Sequence, residues 1–187
     1  AKGLGLEGLD KLKELMTQQL EGDLKNASRQ KVKRGLLDVL DERHSFELPP
    51  KMVEDEFSQI WAQLEQEKAA GRLDEEDAKK SDDELKEEYS KIAERRVRLG
   101  LVLAEIGRLN EIDVKPEEVS RALNMEASRY PGQEQQVVEF YQKTPAAMAQ
   151  LRAPIFEEKV VDYILERIKV TDKAVTREEL MKELEDV

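Results

Sequence analysis

Apolar residues recur every three or four positions along most of this chain, and the runs stop at prolines, glycines and acidic stretches. That period marks α-helices with one buried face. Leu9, Leu12, Met16, Leu20, Leu24 and Ala27 form one stripe, resumed at Val32, Leu36 and Val39, which predicts a single helix over roughly residues 8 to 44. Gly22 and Gly35 are its weak points, each costing about 1 kcal/mol against Ala. At 1.5 Å per residue such a helix spans about 50 Å, wider than a small domain, so part of it should project.

Phe46-Glu47-Leu48-Pro49-Pro50 interrupts the pattern. A proline holds the preceding residue in extended conformation and suits the first turn of the next helix. A second helix therefore starts at Pro49 or Pro50, carries Met52, Val53, Phe57, Ile60, Trp61 and Leu64, and fades near Gly71. Residues 71 to 83 offer little to bury and read as a loop or hairpin tip. Ser81-Asp82-Asp83-Glu84 is a capping box that opens a third helix reaching about Asn110. The first half of that helix is amphipathic through Leu85, Tyr89 and Ile92. Its second half, Val97 to Ile106, is apolar nearly all round and belongs at the centre of the domain.

Beyond the extended link Ile112-Asp113-Val114, Pro116 opens a fourth helix to about Tyr130, and Pro131-Gly132 signals a turn. A fifth helix covers roughly 133 to 143. A sixth begins at Pro145 and carries a kink at Pro154. Lys169-Val170-Thr171 reads as a short strand or an extended link. Thr176-Arg177-Glu178-Glu179 is a second capping box, starting a last helix through Leu184. No alternating run is long enough for a sheet, so the fold class is all-α.

Composition sharpens this picture. Charged residues make up 39% of 187 and aromatics only 5%, with a mean hydropathy of -0.70. Such a chain has much surface per residue, which favours extended helices over a sphere. Its net charge of -11 argues against nucleic acid and against an anionic membrane surface as partners, since both call for a basic footprint. With no cysteine there is no disulfide scaffold and no thiolate metal site. No apolar run approaches a membrane span and no signal peptide is visible. The chain starts without Met inside an amphipathic segment, and it reads as a fragment of a longer protein.

Candidate chemistry is sparse. Gly3-Leu4-Gly5-Leu6-Glu7-Gly8 matches the dinucleotide fingerprint, but the strand that motif requires has no room before Gly3. His44, the only histidine, belongs at the negative end of the first helix rather than in a triad. No serine sits in a nucleophile elbow. The acidic runs 74–77 and 82–84 lack the glycine turn of a calcium loop and read as a solvated tip and a helix start. Arg95-Arg96 is expected to pair with neighbouring carboxylates. Asn26-Ala27-Ser28 lies mid-helix and carries no glycosylation expectation. No catalytic residue, metal or cofactor follows.

The distinctive feature is a mismatch between apolar stripes and helices too long to seal them on one centre. Met16, Leu20, Tyr89, Met125, Tyr130, Val137 and Phe140 sit on stretches that could stand open, and apolar faces rimmed by charge mark protein-binding surfaces. Met is flexible and Tyr amphipathic, which suits varied partners. The alternative is that they are ordinary interhelical core residues.

Taken in order, Ala27 to Lys33, Phe46 to Pro50, Ala93 to Ile106, Val137 to Tyr141, Leu151-Arg152, Val160 to Leu165 and the tail from Lys169 resemble the carboxy-terminal region of the trigger factor family over essentially the whole chain. The resemblance implies an elongated helical body with two protruding helical arms around a crevice. The chain would be one domain, with arms at about 1–70 and 71–110, and 111–187 completing the body and a second client surface. It also implies ATP-independent holding of nascent or unfolded polypeptide in the bacterial cytoplasm. Clients would be contacted at Tyr89 on one side and at Tyr130, Val137 and Phe140 on the other, with Met125 one residue off the family's pattern.

The family's ribosome-docking signature and isomerase domain are not in this sequence, so ribosome contact and proline isomerisation would belong to other parts of the parent protein. Weak self-association is a further expectation. Two alternatives stand beside this one: a structural helical adaptor with one fixed protein partner, and the helical domain of a periplasmic parvulin-type chaperone.

Overall fold

The computed structural model describes residues 8–185. Among the described residues, seven α-helices follow one another: α1 (Leu9–Arg43), α2 (Pro50–Ala69), α3 (Asp82–Leu109), α4 (Pro116–Ala127), α5 (Glu134–Lys143), α6 (Pro145–Leu165) and α7 (Arg177–Glu185), with a 3-10 turn at Asp77–Lys79 before α3. No strand occurs among the described residues, so Lys169 to Thr171 is a non-helical link. The all-α expectation holds. Most of the Gly3-to-Gly8 run lies outside the described residues.

The helix ends follow local chemistry. Ser81 accepts from the Glu84 amide at 3.3 Å, and the Glu84 carboxylate accepts from the Ser81 amide at 2.8 Å. Thr176 and Glu179 repeat the arrangement at the start of α7, at 3.2 and 2.7 Å. Each box satisfies two amides that a helix start leaves unpaired. The Glu118 carboxylate accepts from the Lys115 amide at 2.7 Å and so closes the start of α4. Pro50, Pro116 and Pro145 each open a helix, where the absent N–H costs nothing. At the far end of α1, His44 Nδ1 lies 2.7 Å from the Leu40 carbonyl, so that nitrogen carries the proton and donates. α4 ends at Ala127, three residues sooner than its apolar pattern suggests, because 128–130 turn towards Gly132. α6 continues as helix through Pro154.

The chain divides into two compact units: Ala1–Val39 with Lys169–Val187, and Leu40–Ile168. In the first, Ala27 of α1 and Leu180 of α7 are buried, while Leu24 and Leu184 are half-buried. Ala27 is the one buried residue of α1.

In the second unit α3 is the central helix, packed on α2 and on α6, with α4 and α5 packed on each other and on α6. The run that looked apolar all round supplies Val97, Leu99, Val102 and Leu103 to the interior, and Gly107, just beyond it, is buried too. Leu85 and Ala93 of the same helix, Ile60 and Leu64 of α2, Val114 of the link, Leu123 and Ala127 of α4, and Ala147, Val160 and Val161 of α6 are buried with them. Gly107 is the point of closest approach: a Cβ placed there would meet the Phe156 ring at 2.2 Å. A ring can lie directly on the α3 backbone only because that side chain is missing.

Charges tie the helices together at the edge of this core. Arg98 of α3 bonds Asp41 at 2.7 Å, Arg95 stands 3.8 Å from the same carboxylate, and Arg96 reaches Glu56 of α2 at 3.1 Å. The expectation that these arginines pair with carboxylates is met. Lys159 of α6 bonds Glu118 of α4 at 2.8 Å, and Tyr163 donates to Asn110.

Candidate functional site: an apolar patch on the α4–α5 hairpin

The apolar residues proposed for binding fall into three places. Tyr130, Val137 and Phe140 come together where α4 turns into α5. The turn follows from its sequence. Ser128 Oγ donates to the Met125 carbonyl at 2.7 Å, and the Tyr130 amide to the Ala127 carbonyl at 3.0 Å. Gly132 then takes φ +85°, a conformation L side chains rarely adopt. The Gln133 amide returns to the Tyr130 carbonyl at 3.0 Å. Glu134 is the first residue of α5, and backbone amides at Glu134 and Gly132 hold its carboxyl below the usual range.

The hairpin buries Leu123 and Ala127 on α4 but no residue of α5. Tyr130 is 49% exposed, Phe140 56% and Met125 65%. Tyr130, Val137 and Phe140, with Glu126, Gln136 and Tyr141, line a shallow groove of about 250 Å³. Phe140 meets Tyr141 edge-on at 5.6 Å, which orients both rings. Met125 stands outside that lining. Ion pairs rim the patch, Arg129 with Glu126 at 2.8 Å and Lys143 with Glu139 at 2.9 Å. The groove has apolar walls and charged edges, which suits transient burial of a partner's apolar side chain.

Tyr89 stands elsewhere and is only half-exposed. Its hydroxyl donates to the Asp77 carboxylate at 2.6 Å, and Lys80 bridges Asp77 at 3.0 Å and Glu88 at 2.6 Å. Burial first, then the Asp77 carboxylate, pushes the Tyr89 phenol up to about 12. Asp77 answers in the opposite sense: the Tyr89 hydrogen bond holds its carboxyl below the usual range, with burial opposing and Lys80 assisting. Tyr89 is thus a tethered side chain over a recess of about 200 Å³ shared with Ile60, Leu64 and Arg96, rather than an open contact. Met16 and Leu20 lie on α1, 56% and 44% exposed, and Leu20 borders a recess of about 330 Å³ facing Met181 and Leu184 of α7.

The sequence reading missed Asp77 as a partner of Tyr89, because the acidic run around it resembles a solvated tip. It also missed Tyr141, for which a signal existed: Val137 and Tyr141 are four residues apart and share a helix face. Among the described residues, no group of three or more His, Cys, Asp or Glu could hold a metal ion, and no helix is long and apolar enough to cross a membrane.

Fold and surface together define an all-α protein that keeps aromatic and aliphatic side chains open on a two-helix hairpin. The family described as bacterial trigger factor protein C-terminus matches residues 8–166. Trigger factor of Hyphomonas neptunium is 58% identical over 186 residues, covering 100% of this chain and 42% of the relative. Trigger factor of Maricaulis maris is 61% identical over 180 residues, covering 96% and 35%. A solved structure of trigger factor domains from Thermotoga maritima shares the fold at a TM-score of 0.61 and 18% identity, covering 88% of this chain and 97% of that one. The chain belongs to the trigger factor family, and it corresponds to that family's carboxy-terminal region. It spans less than half the length of these curated relatives. Family membership favours neither the periplasmic parvulin-type alternative nor the fixed-partner adaptor.

Proposed function

We propose that this chain is the client-holding region of a cytoplasmic trigger factor, binding unfolded or nascent polypeptide without nucleotide. The observation that carries this reading is the open α4–α5 patch, where Tyr130 and Phe140 are each about half exposed beside a shallow apolar groove. Met125 adds apolar reach next to it. Met16 and Leu20 offer a second patch on α1, and Tyr89 a third once its tether to Asp77 is released.

Several weak patches on one scaffold hold a disordered chain by avidity while each single contact stays easy to break. Burying half an aromatic ring contributes about 1–2 kcal/mol at 25 cal/mol per Å², so release needs no energy source. On this reading the arms extend over about 1–70 and 71–110, with 111–187 carrying the second client surface. Proline isomerisation and ribosome docking belong to other regions of the parent, and weak self-association through the same patches is part of the proposal.

The test is light scattering from several unrelated denatured clients in the presence of this chain. Aggregation of each is expected to slow. Tyr130→Ser with Phe140→Ser is expected to weaken that protection about tenfold per ring in affinity, with the circular dichroism spectrum and melt unchanged because both side chains are already half in water. Protection of one client alone, or of none, would overturn the reading.

A further inference from the structure

Sulfur enters this chain only as methionine: there are five methionines and no cysteine. Four of the five are exposed, Met16, Met52, Met125 and Met181. Met16 and Met125, at 56% and 65%, stand on open surface. Met181 is 40% exposed, yet it lines the recess of about 330 Å³ between α1 and α7, opposite Leu20, Leu24 and Ala27 and beside Leu184. Its thioether is therefore within reach of solvent and is also part of a contact between two helices.

That contact is small. The nine residues of α7 hold three apolar side chains, Leu180, Met181 and Leu184. Leu180 is buried and Leu184 half-buried. A helix this short does not hold together alone in water, even with the capping box at Thr176, so α7 depends on its seat against α1. Residues 169–176 before it form no helix, so its departure unwinds no helix but its own.

Oxidation acts on this seat. The Met181 sulfur lone pair attacks one oxygen of hydrogen peroxide; an S–O bond forms and the O–O bond breaks. The leaving hydroxide takes the proton of the transferred hydroxyl and departs as water. Sulfur loses two electrons and the peroxide gains them. The product is a sulfoxide, polar where the thioether was apolar. In the recess it faces leucine and alanine, where a polar group without a partner is costly. The donors at the rim, Asn26, Gln30 and Arg177, are themselves exposed, so the sulfoxide gains more from turning to water.

We propose that Met181 is an oxidation site whose sulfoxide releases α7 from α1 and uncovers Leu24 and Ala27, extending the Met16–Leu20 patch. The release stands on the α1–α7 contact alone. That the uncovered stripe takes up unfolded polypeptide rests on the function proposed above.

The whole chain, wild type and Met181→Leu, is treated with hydrogen peroxide, and sulfoxides are located by peptide mass spectrometry. Both proteins lose the same thioethers elsewhere, so the difference between them isolates α7. In treated wild type, hydrogen exchange across 177–184 should speed up about five- to tenfold, and the Leu24 and Leu184 methyl groups should shift by NMR. Treated Met181→Leu should keep its untreated pattern at both. Met181→Gln, polar without any oxidant, should exchange like treated wild type. A methionine sulfoxide reductase should restore protection in treated wild type but not in the glutamine variant. Treated wild type should also hold back aggregation of a denatured client at a lower concentration than treated Met181→Leu.

Met181 left unoxidised when Met125 is converted overturns the proposal, because its sulfur is then shielded. So does sulfoxide at Met181 with α7 exchange unchanged, or equal acceleration in treated Met181→Leu. Release of α7 with no advantage in client protection overturns the uncovered stripe as a holding surface. Failure of untreated wild type to protect any client counts against the function proposed above, and the exchange measurements then judge the release by themselves.

Discussion

Gly107→Ala and Gly100→Ala place the same methyl group on the same helix with opposite expected outcomes. At Gly100 an added Cβ has nothing within 4 Å, so alanine gains helix propensity, about 0.5–1 kcal/mol. At Gly107 the added carbon would stand 2.2 Å from Phe156 Cζ and 2.7 Å from Cε2. Carbon atoms rest about 3.5 Å apart, so the half-buried Phe156 ring must retreat by about 1.3 Å from its seat on α3. Overpacking of that kind costs about 1–3 kcal/mol, which outweighs the propensity gain. Gly107→Ala should lower stability by about 1–2 kcal/mol and Gly100→Ala should raise it by up to about 1 kcal/mol.

Urea unfolding followed by helical circular dichroism measures both. Phe156→Leu supplies the internal check, because a smaller side chain removes the collision and the two changes then cost less together than their sum. Equal stability of the two alanine variants, or strict additivity with Phe156→Leu, would refute the claim that ring-on-backbone contact joins α3 to α6.

Asp77→Asn should destabilise by about 1 kcal/mol at neutral pH, since it removes the charged acceptor of the Tyr89 hydroxyl in a half-buried setting. The Asp77 carboxyl is held below its ordinary value in the folded chain, so its contribution is complete above the usual aspartate range and is lost as pH falls through the lowered value. Urea midpoints of the two proteins, measured from pH 7 downwards, should therefore converge in acid. Ultraviolet titration should show a tyrosine step near 12, and that step should vanish in Tyr89→Phe. Glu118→Ala should lower the melting temperature more than Lys159→Ala, because Glu118 both caps α4 at the Lys115 amide and receives Lys159 of α6, while Lys159 makes only the bridge.

What the sequence made legible was whatever one or two turns of chain can encode. The prolines at 50, 116 and 145 mark helix starts, and the boxes at Ser81 and Thr176 fix two more, so most boundaries fall within a residue or two of the apolar pattern. The central place of Val97 to Leu103 was legible for a similar reason, since a helix apolar on every side has nowhere else to be. What stayed hidden depends on contacts between distant residues. Gly107 looks like one more small residue in an apolar run until Phe156, 49 positions on, is laid across it. Tyr89 looks open until the turn at Asp77–Lys79 folds an acidic side chain back onto its hydroxyl. The Tyr130–Phe140 patch was readable as candidates, but no local rule distinguishes an apolar face left open from one that is covered.

No charged or polar residue is buried in the described core, and even the inner ion pairs, such as Asp41 with Arg98, keep about a fifth of each side chain in solvent. The apolar framework therefore does not depend on a buried charge. Exposed charges that pair within one helix can be exchanged by drift or by design without disturbing it, whereas the pairs at Asp41, Asp77 and Glu118, which join separate elements, cannot.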